Sequence, residues 1–349
     1  MPDNSVLPSR KADHIKINLQ EDVSSSLDAG FEEIHFVHNA LPEINLEEID
    51  IGIELFGRKL KAPVLISSMT GGTPEAFEIN QKLARNAQKY GLAMGLGSQR
   101  AALEDPALAY SYKVRSVAPD ILLFANLGAV QLNYTYAFDH CIKAVEMVQA
   151  DGLFLHLNTV QEALQPEGDT NFSGLLKKIE IVCKRLPVPV FVKEVGWGIS
   201  GKTARQLRDA GVIGIDVAGA GGTSWSQVEY YRIMDKNKKR LALDFRNWGI
   251  PTVESLLQIQ KEVPGIITFA SGGIRNGLDI AKSIRLGASL AGIAGQYLRA
   301  ASISEDELDR LSDYLIEGLR ITMFGTGSRA ISDLRKASLI KQGDRKSEF

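Results

Sequence analysis

Two glycine-rich segments contain residues whose types and spacing suit the binding of a phosphate group. One reads SGGIRNG at residues 271–277, and the other reads GAGGT at residues 219–223. Glycine lets the backbone approach an anion closely, and amides that precede a helix point towards it. Arg275 adds a cation and Thr223 adds a hydroxyl group, although a surface ion pair is an alternative for the arginine. The combination predicts a ligand that carries a phosphate.

These segments belong to a repeated pattern in which short apolar runs alternate with helical segments. The runs are at residues 62–70, 92–98, 121–128, 152–158, 188–196, 214–222, 265–273 and 287–295. Most of them lack strict alternation of apolar and polar residues, which is typical of parallel strands covered on both faces. Helical patterns such as residues 75–90 and 203–210 separate them. Eight units predict the α/β class and a single closed (β/α)8 TIM barrel, with an open doubly wound sheet as the alternative.

The barrel is predicted over residues 62–325, and its strands end in Gly, Ser, Thr or Asn. Such ends suit a ligand-filled barrel mouth, although ordinary turn chemistry favours the same residues. Residues 1–61 form an N-terminal extension with short strands, expected to pack on the barrel. Residues 224–250 are an insertion after the sixth strand, where long insertions commonly act as lids or substrate loops. Residues 326–349 form a C-terminal tail whose polar end, from residue 341, is expected to fray.

The composition is that of an ordinary globular protein with a formal net charge of -2. A charge this small gives no strong attraction to nucleic acid or to a membrane, so neither is expected as a partner. Cys141 and Cys183 lie in predicted amphipathic helices, which predicts buried free thiols and a reducing cytoplasm. The N-terminus lacks the apolar stretch of a secretion signal, and no apolar run reaches membrane-spanning length. A cytoplasmic location is therefore expected.

A series of short motifs, taken in order, resembles the type 2 isopentenyl-diphosphate Δ-isomerases, a family of FMN-dependent barrel enzymes. The motifs are SRKADHI (9–15), SSMTGGT (67–73), GLGSQRA (95–101), FANLGA (124–129), HLNTVQE (156–162), VKEVGWGIS (192–200), GAGGTSW (219–225), RNWGIPT (246–252) and SGGIRNG (271–277). The glycine-rich motifs recur in many FMN barrels, whereas SRKADHI together with HLNTVQE is much more specific. Since the frame continues through the eighth strand, the resemblance covers nearly the whole chain.

The resemblance implies a conversion of isopentenyl diphosphate into dimethylallyl diphosphate, a step of isoprenoid biosynthesis. It implies reduced FMN and Mg2+ as cofactors, NADPH as the reductant, and a symmetric homo-oligomer of four or eight subunits. The reaction adds one proton and removes another, and an isolated alkene is a poor base. A reduced flavin offers protons in its N5 and N1 region, which suits the acid–base use of the cofactor proposed for the family.

Residue roles carried over from the family fall into five groups. The residues implied to line the flavin are Ser68, Met69, Thr70, Ser98, Asn126, Lys193 and Thr223. Those implied to surround its phosphate are Gly273, Arg275, Ala294 and Gly295. Those implied to hold the substrate are Arg10, Lys11, Ser98, Gln99, Arg100, His156, Asn158 and Gln161. The catalytic set is Gln161, His156 and Lys193, and the implied Mg2+ ligand is Glu162.

The chemistry of two of these residues agrees with the implied roles. Lys193 ends an apolar run, so its ammonium group is expected at the barrel mouth, where it can stabilise negative charge near N1 of reduced flavin. A structural lysine paired with Glu194 is the alternative, because lysines are rarely buried unpaired. Glu162 is a hard oxygen ligand suited to Mg2+ that also contacts phosphates. One carboxylate is not a cage, so a tight metal site without substrate is not expected.

Without the resemblance, other members of the sets have ordinary explanations. His156 is equally well a packed core histidine, and Arg10 with Lys11 is a solvated N-terminal pair. Arg100 and these two cations suit a diphosphate, because arginine can bond two phosphate oxygens at once. Their implied role requires the N-terminal extension to fold back over a barrel mouth. Gln161 cannot ionise usefully, but it can orient a proton or donate a hydrogen bond.

The nearest competing interpretation is an FMN-dependent barrel oxidoreductase of the 2-hydroxy-acid oxidase type. Such enzymes use a histidine base late in the chain, whereas all 5 histidines here lie at or before His156. Nucleotide dehydrogenases of similar shape need a reactive cysteine in a loop, but both cysteines fall on predicted helices. A non-catalytic flavin- or phosphate-binding barrel is the third alternative. The Gln161–Glu162 pair and the cations argue against it.

Overall fold

A computed structural model describes the backbone of residues 6–341 and the side chains of residues 11–340. Its centre is a closed barrel of parallel strands. The strands are β1 (Val64–Ile66), β2 (Ala93–Gly95), β3 (Leu123–Gly128), β4 (Gly152–His156), β5 (Val190–Lys193), β6 (Gly214–Asp216), β7 (Ile267–Ser271) and β8 (Leu290–Ile293). Each strand pairs with the next, and β8 pairs with β1, so the predicted (β/α)8 barrel is confirmed.

Helices surround the barrel and cover the outer face of its strands. Helices that lie along the chain between and after the barrel strands include Pro74–Tyr90, Phe138–Val148, Leu175–Arg185, Gly201–Asp209, Thr252–Glu262, Gly277–Arg285, Gly295–Ile303 and Glu305–Thr326. The others are Val6–Gln20, Arg100–Glu104, Thr159–Leu164, Trp225–Arg232, Lys236–Asp244 and Ile331–Leu334, with short 3-10 turns at Phe31–Glu33, Leu46–Glu48, Pro106–Tyr112, Ala129–Asn133 and Phe245–Asn247. Helix Pro74–Tyr90 has sequence signals at both ends: Thr73 caps its first turn, and Gly91, at a φ of 62°, ends it. Such signals make the helix predictable from the sequence.

Aromatic side chains fill the barrel interior below the strand ends. Phe124, Phe154, Phe191 and Phe269 are fully buried there and contact one another, with Phe191 and Phe269 stacked at 5.1 Å between ring centroids. Phe56, in the hairpin between strands Ile53–Leu55 and Arg58–Leu60, meets Phe191 edge-on at 5.4 Å. The barrel interior is therefore a packed core, and ligands have access only to the end of the barrel formed by the carboxyl ends of its strands.

The N-terminal extension contains the expected short strands. It contacts both a strand near the C-terminus and the mouth of the barrel. Strand Ile34–Phe36 pairs antiparallel with Leu339–Lys341. Helix Val6–Gln20 and the segment after it lie over the mouth of the chain's own barrel, where the amide of Ser25 donates to Gly222 O at 2.8 Å. This placement is the one that a fold-back of the extension requires. Of the tail expected to fray, Lys341 pairs with Ile34, and residues 342–349 lie outside the described part of the chain.

The two cysteines lie on the helices predicted for them and form no disulfide. Cys141 is fully buried, but Cys183 is only partly buried, so the prediction of two buried thiols is wrong for Cys183. Cys183 packs against the edge of the core beside the turn at Gly211, where a Cβ atom added to Gly211 would lie 3.2 Å from Cys183 Cβ. Within residues 6–341, none of the helices combines the length and apolar character needed to cross a bilayer.

Candidate active site

A cavity of about 360 Å³ opens at the carboxyl ends of the strands and extends beneath helix Val6–Gln20. This volume lies within the range of small-molecule sites. Every residue predicted to line a flavin or its phosphate borders the cavity: Ser68, Met69, Thr70, Ser98, Asn126, Lys193, Thr223, Gly273, Arg275, Ala294 and Gly295. The predicted substrate and metal residues that also border it are Lys11, Ser98, Arg100, His156, Asn158, Gln161 and Glu162.

Glycines in the segments that follow β6 and β7 pack so closely together that side chains would not fit between them. A Cβ atom at Gly272, whose φ is 100°, would lie 2.1 Å from Gly219 O. A Cβ atom at Gly222 would lie 2.7 Å from the amide nitrogen of Gly273. The turn is held further by Asp279, whose carboxylate accepts the amide of Arg275 at 3.0 Å. The result is a rigid, backbone-lined concavity of the kind that binds phosphate.

Hydroxyl groups at the end of β1 have no internal hydrogen-bond partner. The side-chain oxygens of Ser67, Ser68 and Thr70 are buried and unbonded within the described residues, and the same holds for Asn158 Oδ1. Buried polar atoms are normally hydrogen-bonded, so an orphaned group beside a cavity indicates where a polar ligand would bond. The donor and acceptor set therefore fits a flavin, whose ring edge carries several nitrogen and oxygen atoms.

Lys193 ends β5 and directs its ammonium group to the edge of the cavity. Its Nζ donates to the backbone oxygen of Glu194 at 2.5 Å. The Glu194 carboxylate instead accepts the amides of Val195, Gly196 and Trp197, at 2.6, 2.8 and 2.6 Å. Burial raises the pKa of Glu194 to about 7 in spite of these bonds. The alternative of a Lys193–Glu194 side-chain ion pair is therefore not found among the ion pairs of the described residues.

Polar side chains after β3 and β4 form a connected network on one wall of the cavity. His156 Nδ1 lies 2.8 Å from Asn126 Oδ1, which fixes the plane of the imidazole. Asn158 Nδ2 donates to Gln161 Oε1 at 3.1 Å and to Glu162 Oε1 at 2.9 Å. These partners hold the Gln161 amide in one orientation. His156 is only partly buried and borders the cavity, unlike a histidine packed inside the core.

The network continues to Glu229, which the sequence analysis missed. Gln161 Nε2 donates to Glu229 Oε1 at 3.1 Å, and Glu229 also pairs with Arg232 at 2.6 Å and with His14 at 3.4 Å. Burial of Glu229 opposes its ionisation, but the bond and charge of His14, with Arg232 and Gln161, outweigh this and lower its pKa. In the sequence, a glutamate within the helical segment WSQVEYYR looks like a solvated surface residue. Nothing there indicated that Glu229 would join this network.

Glu162 is buried and its carboxylate has partners on both oxygens. Its Oε2 accepts the Asp169 amide at 2.7 Å and the side-chain amide of Gln165. Burial raises the pKa of Glu162. No group of three or more His, Cys, Asp or Glu side chains that could hold a metal occurs in the described chain. A single carboxylate beside the orphaned Asn158 Oδ1 fits a Mg2+ ion that takes its other ligands from water and phosphate.

Two cations border the cavity on the side nearest the N-terminal helix. Arg100 is held by Glu104 at 2.8 Å and Asp169 at 2.9 Å, and Lys11 Nζ donates to Ser98 O at 3.2 Å. Arg10 lies in helix Val6–Gln20, but its side chain is outside the described residues.

Gln99 is the one predicted substrate residue with a described side chain that does not reach the cavity. Its side chain has 0% exposure, donates to Ala144 O at 2.8 Å and accepts the Asn126 amide at 3.0 Å. The motif could not reveal this, because neighbouring side chains at a strand end point in different directions. The direct contact with substrate expected for Gln99 is therefore not formed in this arrangement, and Gln99 instead supports the end of β3.

The family model of FMN-dependent dehydrogenases matches residues 5–111 and 143–341. Relatives named isopentenyl-diphosphate delta-isomerase include those of Rickettsia bellii, 53% identical over 95% of this chain and 96% of the relative, and Rickettsia felis, 52% identical over 97% and 99%. A mandelate oxidase variant of known structure matches with a TM-score of 0.67 and 19% identity over 97% of this chain and 99% of its own, which shows the fold alone. The chain belongs to the isopentenyl-diphosphate delta-isomerase family, within the FMN-dependent dehydrogenase group.

Proposed function

We propose that this chain binds FMN at the barrel mouth and, with the flavin reduced, converts isopentenyl diphosphate into dimethylallyl diphosphate. One observation carries the proposal: a single cavity has one wall suited to binding a flavin and another wall suited to binding a diphosphate. The first consists of the orphaned hydroxyls and the glycine concavity, and the second of Lys11, Arg100 and the Gln161 network. The names of the relatives support the same activity.

The chain's own residues would hold the FMN along the strand ends. The concavity at Gly222 and Gly273, with Arg275, would bind the phosphate, and Ser68 and Thr70 would bond the ring edge. Lys193 would lie beside the ring and stabilise negative charge on it. Reduced FMN held there would supply acid–base chemistry at its ring nitrogens, which would give one proton to the alkene and accept another from it.

On the substrate side, residues of the chain would bind the charged end of the substrate and restrict the motion of its hydrocarbon end. Lys11 and Arg100 would neutralise the diphosphate, which leaves the hydrocarbon tail directed towards the flavin wall. Gln161 would contact the reacting carbons with its amide fixed by Asn158 and Glu229. The lowered pKa of Glu229 keeps that group ionised, so it accepts the Gln161 hydrogen bond across the neutral pH range. His156, fixed by Asn126, would complete the catalytic set.

Glu162 would bind Mg2+, and its replacement by glutamine tests this role. We expect Glu162→Gln to raise the Mg2+ concentration for half-maximal activity by at least about 100-fold, since even the loss of an outer partner costs about 10- to 100-fold. Activity against Mg2+ concentration gives the measurement. Glu167→Gln, an exposed acid in the segment just after the helix that carries Glu162, is the matched control. An unchanged Mg2+ requirement would exclude Glu162 as the ligand.

Several further properties belong to the same proposal. NADPH would act as the reductant of the flavin, and the protein would work in the cytoplasm as a homo-oligomer of four or eight subunits. Residues 1–61 and 326–349 would pack on the barrel formed by residues 62–325, with residues 224–250 as its main insertion. The position of helix Trp225–Arg232 between helices Val6–Gln20 and Thr159–Leu164 supports a role of that insertion in closing the substrate side.

The test compares isomer formation with consumption of the reductant. Full-length protein is mixed with FMN, Mg2+, isopentenyl diphosphate and a limiting amount of NADPH, and products are quantified by NMR. We expect many molecules of dimethylallyl diphosphate for each NADPH consumed, because the reaction has no net oxidation. The second candidate, a 2-hydroxy-acid oxidase, is favoured by the dehydrogenase family model. It would instead give turnover with a hydroxy acid and none with the diphosphate.

A further inference from the structure

Asp169 lies in the loop of residues 165–171 and contacts both of the groups expected to receive the charged end of the substrate. Its carboxylate accepts Arg100 Nη1 at 2.9 Å, and its backbone amide donates to Glu162 Oε2 at 2.7 Å. Arg100 and Glu162 both border the cavity, whereas Asp169 itself does not. One residue therefore connects the anion-binding side chain to the cation-binding side chain.

The loop that carries Asp169 is held from three directions. Gln131 Nε2 donates to Asp169 Oδ2 at 3.2 Å. A Cβ atom at Gly168 would lie 1.7 Å from Glu162 O, so the loop packs directly on the helix that carries Glu162. At its far end, Asn133 Nδ2 donates to Asn171 O at 2.7 Å. Asp169 is consequently a fixed point and not a mobile surface acid.

We propose that Asp169 is a positioning residue that sets the affinity of the site for a diphosphate by holding Arg100 and Glu162 in their receiving positions. The inference rests on the proposed function, in which both groups bind the charged end of the substrate. Asp169 and Glu104 each take one nitrogen of the Arg100 guanidinium, which has further N–H groups left for phosphate oxygens. A long side chain ordered before binding loses less entropy when the ligand arrives.

The position of Asp169 outside the cavity separates this role from direct catalysis. A group that acts only on Arg100 and Glu162 changes how tightly the substrate binds, and it leaves the proton transfers at the hydrocarbon end unchanged. The variants should therefore alter KM and the affinity for an inorganic diphosphate, with little change in kcat. A residue needed only for folding would instead alter thermal stability or FMN content.

The experiment measures inorganic pyrophosphate binding to the FMN-loaded full chain by calorimetry, without Mg2+, alongside isomerase kinetics. We expect Asp169→Ala to raise the Kd of pyrophosphate and the KM about tenfold, with kcat within about twofold, since a hydrogen bond to a charged group is lost. Asp169→Asn, which keeps an acceptor oxygen without the charge, should show a smaller rise. Glu167→Gln, an exposed acid on the same loop, should match wild type.

Each outcome has a distinct meaning. Unchanged pyrophosphate affinity in both Asp169 variants, or a fall in kcat at constant KM, overturns the positioning role. Loss of FMN or of the thermal transition in Asp169→Asn as well as in Asp169→Ala also overturns it, in favour of a purely structural role. A wild-type protein that binds pyrophosphate but does not isomerise isopentenyl diphosphate contradicts the proposed function, while the pyrophosphate comparison still reports on Asp169.

Discussion

Replacing Gly222 by alanine is expected to weaken FMN binding about 100-fold, because inserting a methyl group into a closely packed site costs on the order of 1–3 kcal/mol. The added Cβ atom would lie 2.7 Å from the amide nitrogen of Gly273. That amide belongs to the concavity proposed to bind the FMN phosphate, so the methyl group would block the ligand as well as displace the backbone. Gly222 does not have a positive φ, so alanine introduces no backbone strain of its own.

Flavin content after reconstitution, and the Kd from quenching of FMN fluorescence, measure this effect. Gly325→Ala is the matched control, because its Cβ atom would meet only His38 Nδ1, at 3.9 Å, within helix Glu305–Thr326. The control should bind FMN like wild type, and both variants should retain the far-ultraviolet circular dichroism of the barrel. Full flavin content in Gly222→Ala would exclude this concavity as the phosphate site.

The replacement Lys193→Met is expected to lower the isomerase rate about 100- to 1,000-fold, the usual effect of removing an electrostatic stabiliser from an active site. The same change should make the midpoint potential of the bound flavin more negative, since a nearby cation stabilises the anionic reduced ring. Asp216, the Cα neighbour of Lys193 on β6, is fully buried and would lose the cation that favours its ionised form.

A spectroelectrochemical titration measures the potential, and the isomerase assay measures the rate. Lys202→Met provides the comparison, because Lys202 is an exposed lysine on helix Gly201–Asp209 and is not a cavity residue. It should leave both quantities unchanged. If Lys193→Met also left the potential and the rate at wild-type values, Lys193 could not lie beside the flavin ring.

The barrel and the location of its site could be predicted because both depend on local patterns. Strands buried on both faces must be apolar throughout, which is why runs such as residues 121–128 and 265–273 marked β3 and β7. Parallel strands also bring their carboxyl ends to one side, so the glycines after β6 and β7 had to meet. Their interleaving at Gly219 and Gly272 is a consequence of this topology.

The remaining parts of the site depend on contacts between residues far apart in the sequence. Glu229 meets Gln161 across 68 residues, and Asp169 meets Arg100 across 69, so neither acid had a local signature. Helix Val6–Gln20 was not predicted as a helix, because it has only weak apolar periodicity. It packs on the polar mouth of the barrel, where an amphipathic pattern is not required.

A crystal structure of the full chain grown with FMN would test the central assignment most directly. We expect the isoalloxazine ring beside Lys193 and the hydroxyls of Ser68 and Thr70, with the phosphate in the concavity formed by Gly222 and Gly273. Flavin density at another place would contradict the assignment and the isomerase mechanism built on it. The absence of flavin from this cavity at a saturating FMN concentration would contradict them equally.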